Sequence, residues 1–401
     1  MDIRDVINSH LDHFDLDIRK SKYARFTDQK CTPDIVSFLA DCVINIVATK
    51  PVFTLKDIWE SQYFIRNARV IFNKPWANDE RAKHEYDKVL AQPLNLLVYA
   101  HILSVIPNGG RSKSFVVNNE FLLDYISRRD NNAYEFLYCY LFKVMTDSGF
   151  MRYIDEYRAN YIRNVKVARE ELYGRFHMLI DGNTPTHSVL DTTRIFHKII
   201  NIFACEYGMP GSKGEYDMMF SDLMYNRTNA RDINKRKEIT RQEALGIGVE
   251  RSREEAERMN VISQYYIQKA VNQIKKIERS SEVHDSFGRG EATQVHHIFP
   301  KSDYPTLAGS LENLILLTPT QHFTKAHPNN NTQIIDANYQ RVCLLSKADS
   351  IENSINTVGE TYYRKASFID VVNQGLDLSL STTISYNQIK DAINEQYRIR
   401  L

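Results

Sequence analysis

The fold class predicted for this chain is mainly α with one small α+β module near the C-terminal end, and three observations predict it. Apolar residues recur at helical spacing through most of the 401 residues. Strand-like patterns are confined to "SFVV" (Ser114–Val117) and to the segment Glu291–Gln333. No internal repeat or low-complexity tract interrupts this pattern. The composition, 25% charged and 43% hydrophobic, is that of a globular protein.

Each element has a local reason. "TPDIVSFLADCVINIVA" (Thr32–Ala48) opens on a Thr-Pro helix start and keeps its apolar residues on one face. "PVFTLKDIWES" offers Thr54 as the N-cap of a helix through Trp59. Residues 86–106 and 118–150 are expected as helices, the second carrying "FLLDYI" and "YEFLYCYLFKVM" as core stripes. Between them the Gly-rich basic turn "PNGGRSKSF" leads into the strand at Ser114, a combination compatible with a winged-helix DNA reader. Residues 188–206 and 250–279 are two further amphipathic helices, and "SSEVHDSFGRGE" breaks the second. The expected division is a helical N-terminal domain (1–185) for DNA recognition and dimerisation, a helical, basic connecting region (186–285), and a C-terminal domain (286–401) with its own helices.

Charge and cysteine usage narrow the class. The formal net charge is +1, so no global basicity marks a nucleic-acid partner. Locally, "NRTNARDINKRKEITR" sets Arg227, Arg231, Arg236 and Arg241, with Lys235 and Lys237, against only Asp232 and Glu238. Such a run is either a solvated helix face or a phosphate contact. The start shows no basic stretch followed by an apolar one, and no run of about 18 uncharged apolar residues marks a membrane span. Five dispersed cysteines without C-x-x-C spacing predict free, buried thiols in a reducing compartment, the cytoplasm, and no cysteine zinc site.

Four of the twelve histidines fall within Glu291–Gln333. "TQVHHIFP" is β-branched and aromatic and stops at Pro300, as a strand does; "LENLILLT" (Leu311–Thr318) is a second strand. "TPTQHFTKAHP" starts a helix with Thr318 as N-cap and Pro319 at the first helical position, and Pro328 ends it. Strand, loop, strand and helix form a hairpin with a helix across it, so the first histidine pair meets His322. Adjacent residues on a strand face opposite ways, so His296 and His297 have different jobs. His296 is placed to ligate a cation with the helix histidines, and His297 to take a proton from water. A metal beside a phosphate and an imidazole base nearby is what phosphodiester hydrolysis requires. The alternative for the same cluster is a structural zinc site, for which Cys343 is the nearest cysteine.

"VHHIFPKS…ENLILLTPTQHFTKAH" resembles the HNH, or ββα-metal, nuclease motif over about 45 residues, with its H-H pair and its "TP" before the helix histidine similar to the colicin-type branch. The resemblance implies that His296 is a metal ligand and His297 the general base, and that Asn313 fixes the loop through backbone hydrogen bonds. It also implies His322 and then His327 as further metal ligands. Lys301 and Lys325 are candidate phosphate contacts, beside Arg227, Arg231, Arg236 and Arg241. In one respect the chain departs from the pattern. The helix histidines are five residues apart, which on an ideal α-helix leaves their side chains roughly 140° apart. His327 also precedes Pro328, which disfavours helical backbone there. Asn331 or a water is the alternative last ligand.

The run from "LMYNRTNARD" to "AHPNNNTQIID" is similar to HNH-type type II restriction endonucleases. That resemblance implies a site-specific endodeoxyribonuclease of double-stranded DNA, a homodimer acting on a palindrome, and a companion methyltransferase in the host. The divalent metal it implies is Mg²⁺, while an all-histidine set suits Mn²⁺, Zn²⁺ or Ni²⁺ in affinity. A toxin or homing-type nuclease and a non-catalytic DNA-binding protein with structural zinc are the alternatives.

Overall fold

The computed structural model describes residues 2–72, 83–106, 113–212, 217–225, 263–327 and 335–400. Arg227, Arg231, Arg236, Arg241 and Asn331 lie outside those residues. Among the described residues the protein is mainly helical, 65% helix and 6% strand, with small antiparallel sheets. It divides into two compact units, one of Arg4–Ala244 and one of Leu245–Leu401 with the first three residues. The division between the units falls within the expected connecting region 186–285.

In the first unit the helix Pro33–Val47 is central. Eleven of its fifteen residues are buried, and Glu120–Arg128 and Asp130–Asp147 pack on it. Strand β1 (Phe53–Thr54) runs into the helix Leu55–Glu60 through a capping box, in which Thr54 and Asp57 satisfy each other's exposed N–H groups. Helices Gln62–Phe72 and Lys83–Tyr99 follow, then β2 (Leu103–Ile106) and β3 (Ser114–Val117). The sheet is antiparallel in the order β1-β3-β2.

Two expected helices are corrected here. The helix expected over 86–106 stops at Tyr99, because His101 takes φ +57° and "LSVI" pairs with Ser114–Val117. Apolar β-branched residues fit either periodicity over so short a run; the available partner strand decides. The helix expected over 118–150 is broken at Arg129, whose backbone is extended (φ −151°, ψ 153°). All five cysteines are free; Cys31, Cys42, Cys139 and Cys343 are buried and Cys205 is half-buried. No helix among the described residues is long and apolar enough to cross a membrane.

The second unit holds the histidine segment. Strands β4 (Gln294–His297) and β5 (Leu314–Leu317) pair antiparallel, with His296 opposite Ile315 and His297 opposite Leu314. The second strand begins three residues later than expected, because Leu311–Asn313 winds into a 3₁₀ turn. β5 is buried throughout, in one core with Ile274 of the helix over 263–277, Cys343, Leu344 and Ile351 of Ala337–Val358, Phe368 and Val372 of Lys365–Leu376, and Ile389 and Ile393 of Tyr386–Arg400. A continuous apolar strand is what burial on both faces demands.

Candidate metal centre

The geometry begins with β4. Its alternation turns His296 into the interior, 3% exposed, while His297 is half-buried. The helix expected after Thr318 is not α: residues Gln321–Ala326 form a π-type turn, in which the His327 N–H bonds the His322 carbonyl at 3.1 Å. That i→i+5 bond puts one more residue into the turn. Residues five apart then come round to the same side, which an α-helix would not allow. His327 itself leaves helical backbone (φ −123°, ψ 89°), as a residue before proline does.

The result is a cluster of three imidazoles. Ligand atoms of His296, His322 and His327 all lie within 4.8 Å of one another. The ring centroids are 4.8–5.4 Å apart, and each pair is steeply inclined. Burial, reinforced by the neighbouring imidazoles, lowers His296 to about 3. The same two causes lower His322 to about 4. At neutral pH these two rings are therefore uncharged and keep a lone pair for a cation. Two buried nitrogens, His296 Nε2 and His322 Nδ1, have no hydrogen-bond partner. Buried polar atoms are rarely left so, and a metal ion held by three imidazoles would satisfy both.

His297 stands apart from this cluster. Its Nε2 lies 3.0 Å from the Ala308 carbonyl oxygen. A carbonyl oxygen can only accept, so Nε2 carries the proton and Nδ1 of the neutral ring keeps the lone pair. Burial lowers the pKa, against the Ala308 bond that raises it, and Lys301 lowers it further. A neutral, oriented imidazole beside a candidate metal site can accept a proton from water.

Asn313, fully buried, holds the loop between the strands. Its Nδ2 donates to the carbonyls of Phe299 (2.9 Å) and Leu307 (3.2 Å), and its Oδ1 accepts from the Phe299 N–H at 2.9 Å. One carboxamide thereby ties both ends of the loop that carries Ala308, the residue orienting His297. Lys301 is exposed on that loop, and Lys325 is half-buried on the motif helix.

Supporting residues that the sequence did not single out lie in the segment expected only as a break, Ser280–Glu291. Glu282 edges β5 like an added strand: its N–H donates to the Leu316 carbonyl at 3.0 Å and its Oε1 accepts from the Leu316 N–H at 2.9 Å. Its Oε2 meets Lys347 Nζ at 2.9 Å, both side chains being at most 1% exposed. Lys347 also donates to the Tyr363 hydroxyl, which donates to Glu278 at 2.8 Å. Burial pushes the Glu278 carboxyl up. Gln321, fully buried at the start of the π-type turn, donates to the Val283 carbonyl (2.8 Å) and to Asp285 (2.9 Å) and accepts from Ser281 (2.6 Å). A lysine amid the apolar stripe of a helix was the one available signal, since a buried cation needs an anion.

Compared with protein-family models, curated proteins and solved structures, the chain matches none.

Proposed function

We propose that the protein is a divalent-metal-dependent endonuclease of the HNH type that hydrolyses phosphodiester bonds of double-stranded DNA. The observation that carries this reading is the pairing of a buried three-imidazole cluster with a separately oriented neutral imidazole on the opposite face of the same strand. His296, His322 and His327 would hold the ion. When bound, the metal draws charge from the scissile phosphate and steadies the leaving oxygen. His297 accepts the proton of the attacking water at Nδ1, with its ring fixed by Ala308; Asn313 keeps that loop in place. The all-imidazole set favours Mn²⁺, Zn²⁺ or Ni²⁺ over Mg²⁺ in affinity, whichever ion supports turnover. A wholly structural zinc site is disfavoured by the second histidine, which a closed site has no use for.

Nicking and linearisation of plasmid in Mg²⁺, Mn²⁺, Zn²⁺ or Ni²⁺ is the direct test. Cleavage is expected with at least one of these ions and to stop in excess chelator; full cutting in chelator would refute the metal's role. Sequencing the ends reads whether cleavage is site-specific, as in a type II restriction enzyme with a companion methyltransferase. The cytoplasm, where the DNA and reduced thiols would be found, is part of the same proposal.

The first unit supports a DNA-reading role through its order of helix, strand, helices and hairpin around the β1-β3-β2 sheet. One site per chain and two strands to cut favour a homodimer on a palindromic target. The basic run adds phosphate contacts: replacing Arg231, Arg236 and Arg241 with Gln is expected to flatten the salt dependence of DNA binding by about 0.9 in logarithmic slope for each phosphate no longer neutralised. Sequence preference should survive, because phosphate contacts position a protein without reading bases. An unchanged slope would make the run a solvated face.

A further inference from the structure

Among the described residues of the second unit, only three large hydrophobic side chains are exposed: Phe287 (39%), Phe323 (38%) and Ile399 (74%). Ile399 lies in the last turn of the C-terminal helix. The other two are aromatic: Phe323 borders the histidine cluster, and Phe287 lies against the motif helix that carries two of its histidines. The Phe323 ring stands edge-on to His322, centroids 4.7 Å apart at 87°. Phe287 is held against the motif helix from the opposite chain segment: its carbonyl accepts from the Thr318 hydroxyl at 2.9 Å and its N–H donates to Asp285 at 2.8 Å. Lys325 Nζ sits 4.3 Å over its ring. Asp285 is in turn fixed by Gln321 and by the Tyr339 hydroxyl at 3.0 Å. Phe287 thus stays 39% exposed on a backbone that is tied down.

We infer that Phe287 and Phe323 are base-contacting wedges, which stack on nucleobases beside the scissile phosphate while Lys325 meets the backbone charge. The inference rests on the nuclease reading. An exposed aromatic next to a metal site has little to offer a phosphate, which is charged and hydrated. It has much to offer a base, whose π-face stacks on a ring regardless of sequence. In an intact duplex those faces are covered, so apolar wedges enter only where a step is unstacked. The substrate class is therefore a DNA duplex opened or kinked at the cleaved step. The cation over Phe287 gives one wedge an amphipathic tip, suited to the boundary between base and phosphate.

The test uses the full-length protein loaded with the metal that supports plasmid cleavage, with two substrates compared. One is a DNA duplex spanning a mapped cleavage position, matched or carrying a mismatch at the cleaved step. The other is bis(p-nitrophenyl) phosphate, a diester without bases. Phe287→Ala and Phe323→Ala are each expected to raise KM for the matched duplex by roughly tenfold, the loss of one base–aromatic stack. That loss should exceed any loss on the small diester by a similar factor, should shrink on the mismatched duplex, and should be recovered by Phe→Trp. 2-Aminopurine at the cleaved step should brighten on binding of the parent protein and less with the alanine variants. Equal losses on both substrates would make the rings structural supports of His322 and overturn the inference, as would an unchanged KM. If the parent protein cleaves neither substrate with any of the four metals, the nuclease reading itself fails.

Discussion

Replacing His297 with Ala is expected to lower DNA cleavage by about 10²–10⁴, the worth of a positioned general base. Metal and DNA binding should persist, because the ring's Nε2 is engaged by the Ala308 carbonyl and the residue lies outside the three-imidazole cluster. His296→Ala and His322→Ala should fail differently. Each leaves two imidazoles, so metal affinity falls and activity returns in part at higher metal concentration. His327→Ala belongs with them if the ring in the cluster ligates; an unchanged affinity would hand the last position to Asn331 or water. Titration calorimetry with the metal alone, run beside the cleavage assay, separates the two classes. The division of labour is overturned if His297→Ala loses the metal while His296→Ala keeps it.

Lys347→Met carries the largest expected effect on stability. It removes the cation from a pair in which both side chains are at most 1% exposed, leaving Glu282 charged and buried. Breaking one side of such a pair costs about 3–5 kcal/mol, whereas replacing both sides together costs far less. Glu282 also closes the outer edge of β5 at Leu316, so the damage should localise there. Hydrogen exchange on peptides spanning Leu314–Leu317 is expected to speed up markedly in Lys347→Met and to recover in part in the double variant with Glu282→Gln. Exchange at the parent rate would show that the pair contributes nothing to the strand.

Both effects depend on the same small module, yet its parts were unequally legible. His296, His297, Asn313, His322 and His327 stand in order in one 32-residue stretch, and strand alternation alone separates His296 from His297. N-caps likewise mark local boundaries: Thr54 acts through its own backbone neighbours. Such features are short-range, and one sequence contains all the groups involved.

What tertiary structure alone decided is of another kind. A spacing of five on an α-helix sets His322 and His327 apart; only the π-type turn closed by the His327-to-His322 bond puts them in one cluster. No periodicity encodes that turn, and its first residue, Gln321, is held by Ser281, Val283 and Asp285, 36–40 residues earlier in the chain. Glu282 and Lys347 are 65 residues apart; Lys347 sits amid an apolar helix stripe, but nothing near it in sequence names Glu282 as its partner. Ser280–Glu291 reads as a break because its Ser and Gly content weakens helix propensity, while its contacts with β5 and the motif helix are invisible locally. The helix expected over 86–106 ends early for the same reason, its last residues being claimed by Ser114–Val117. Propensity and capping act between neighbours in sequence, whereas buried charges, strand edges and unusual turns are set by groups that meet only once the chain has folded.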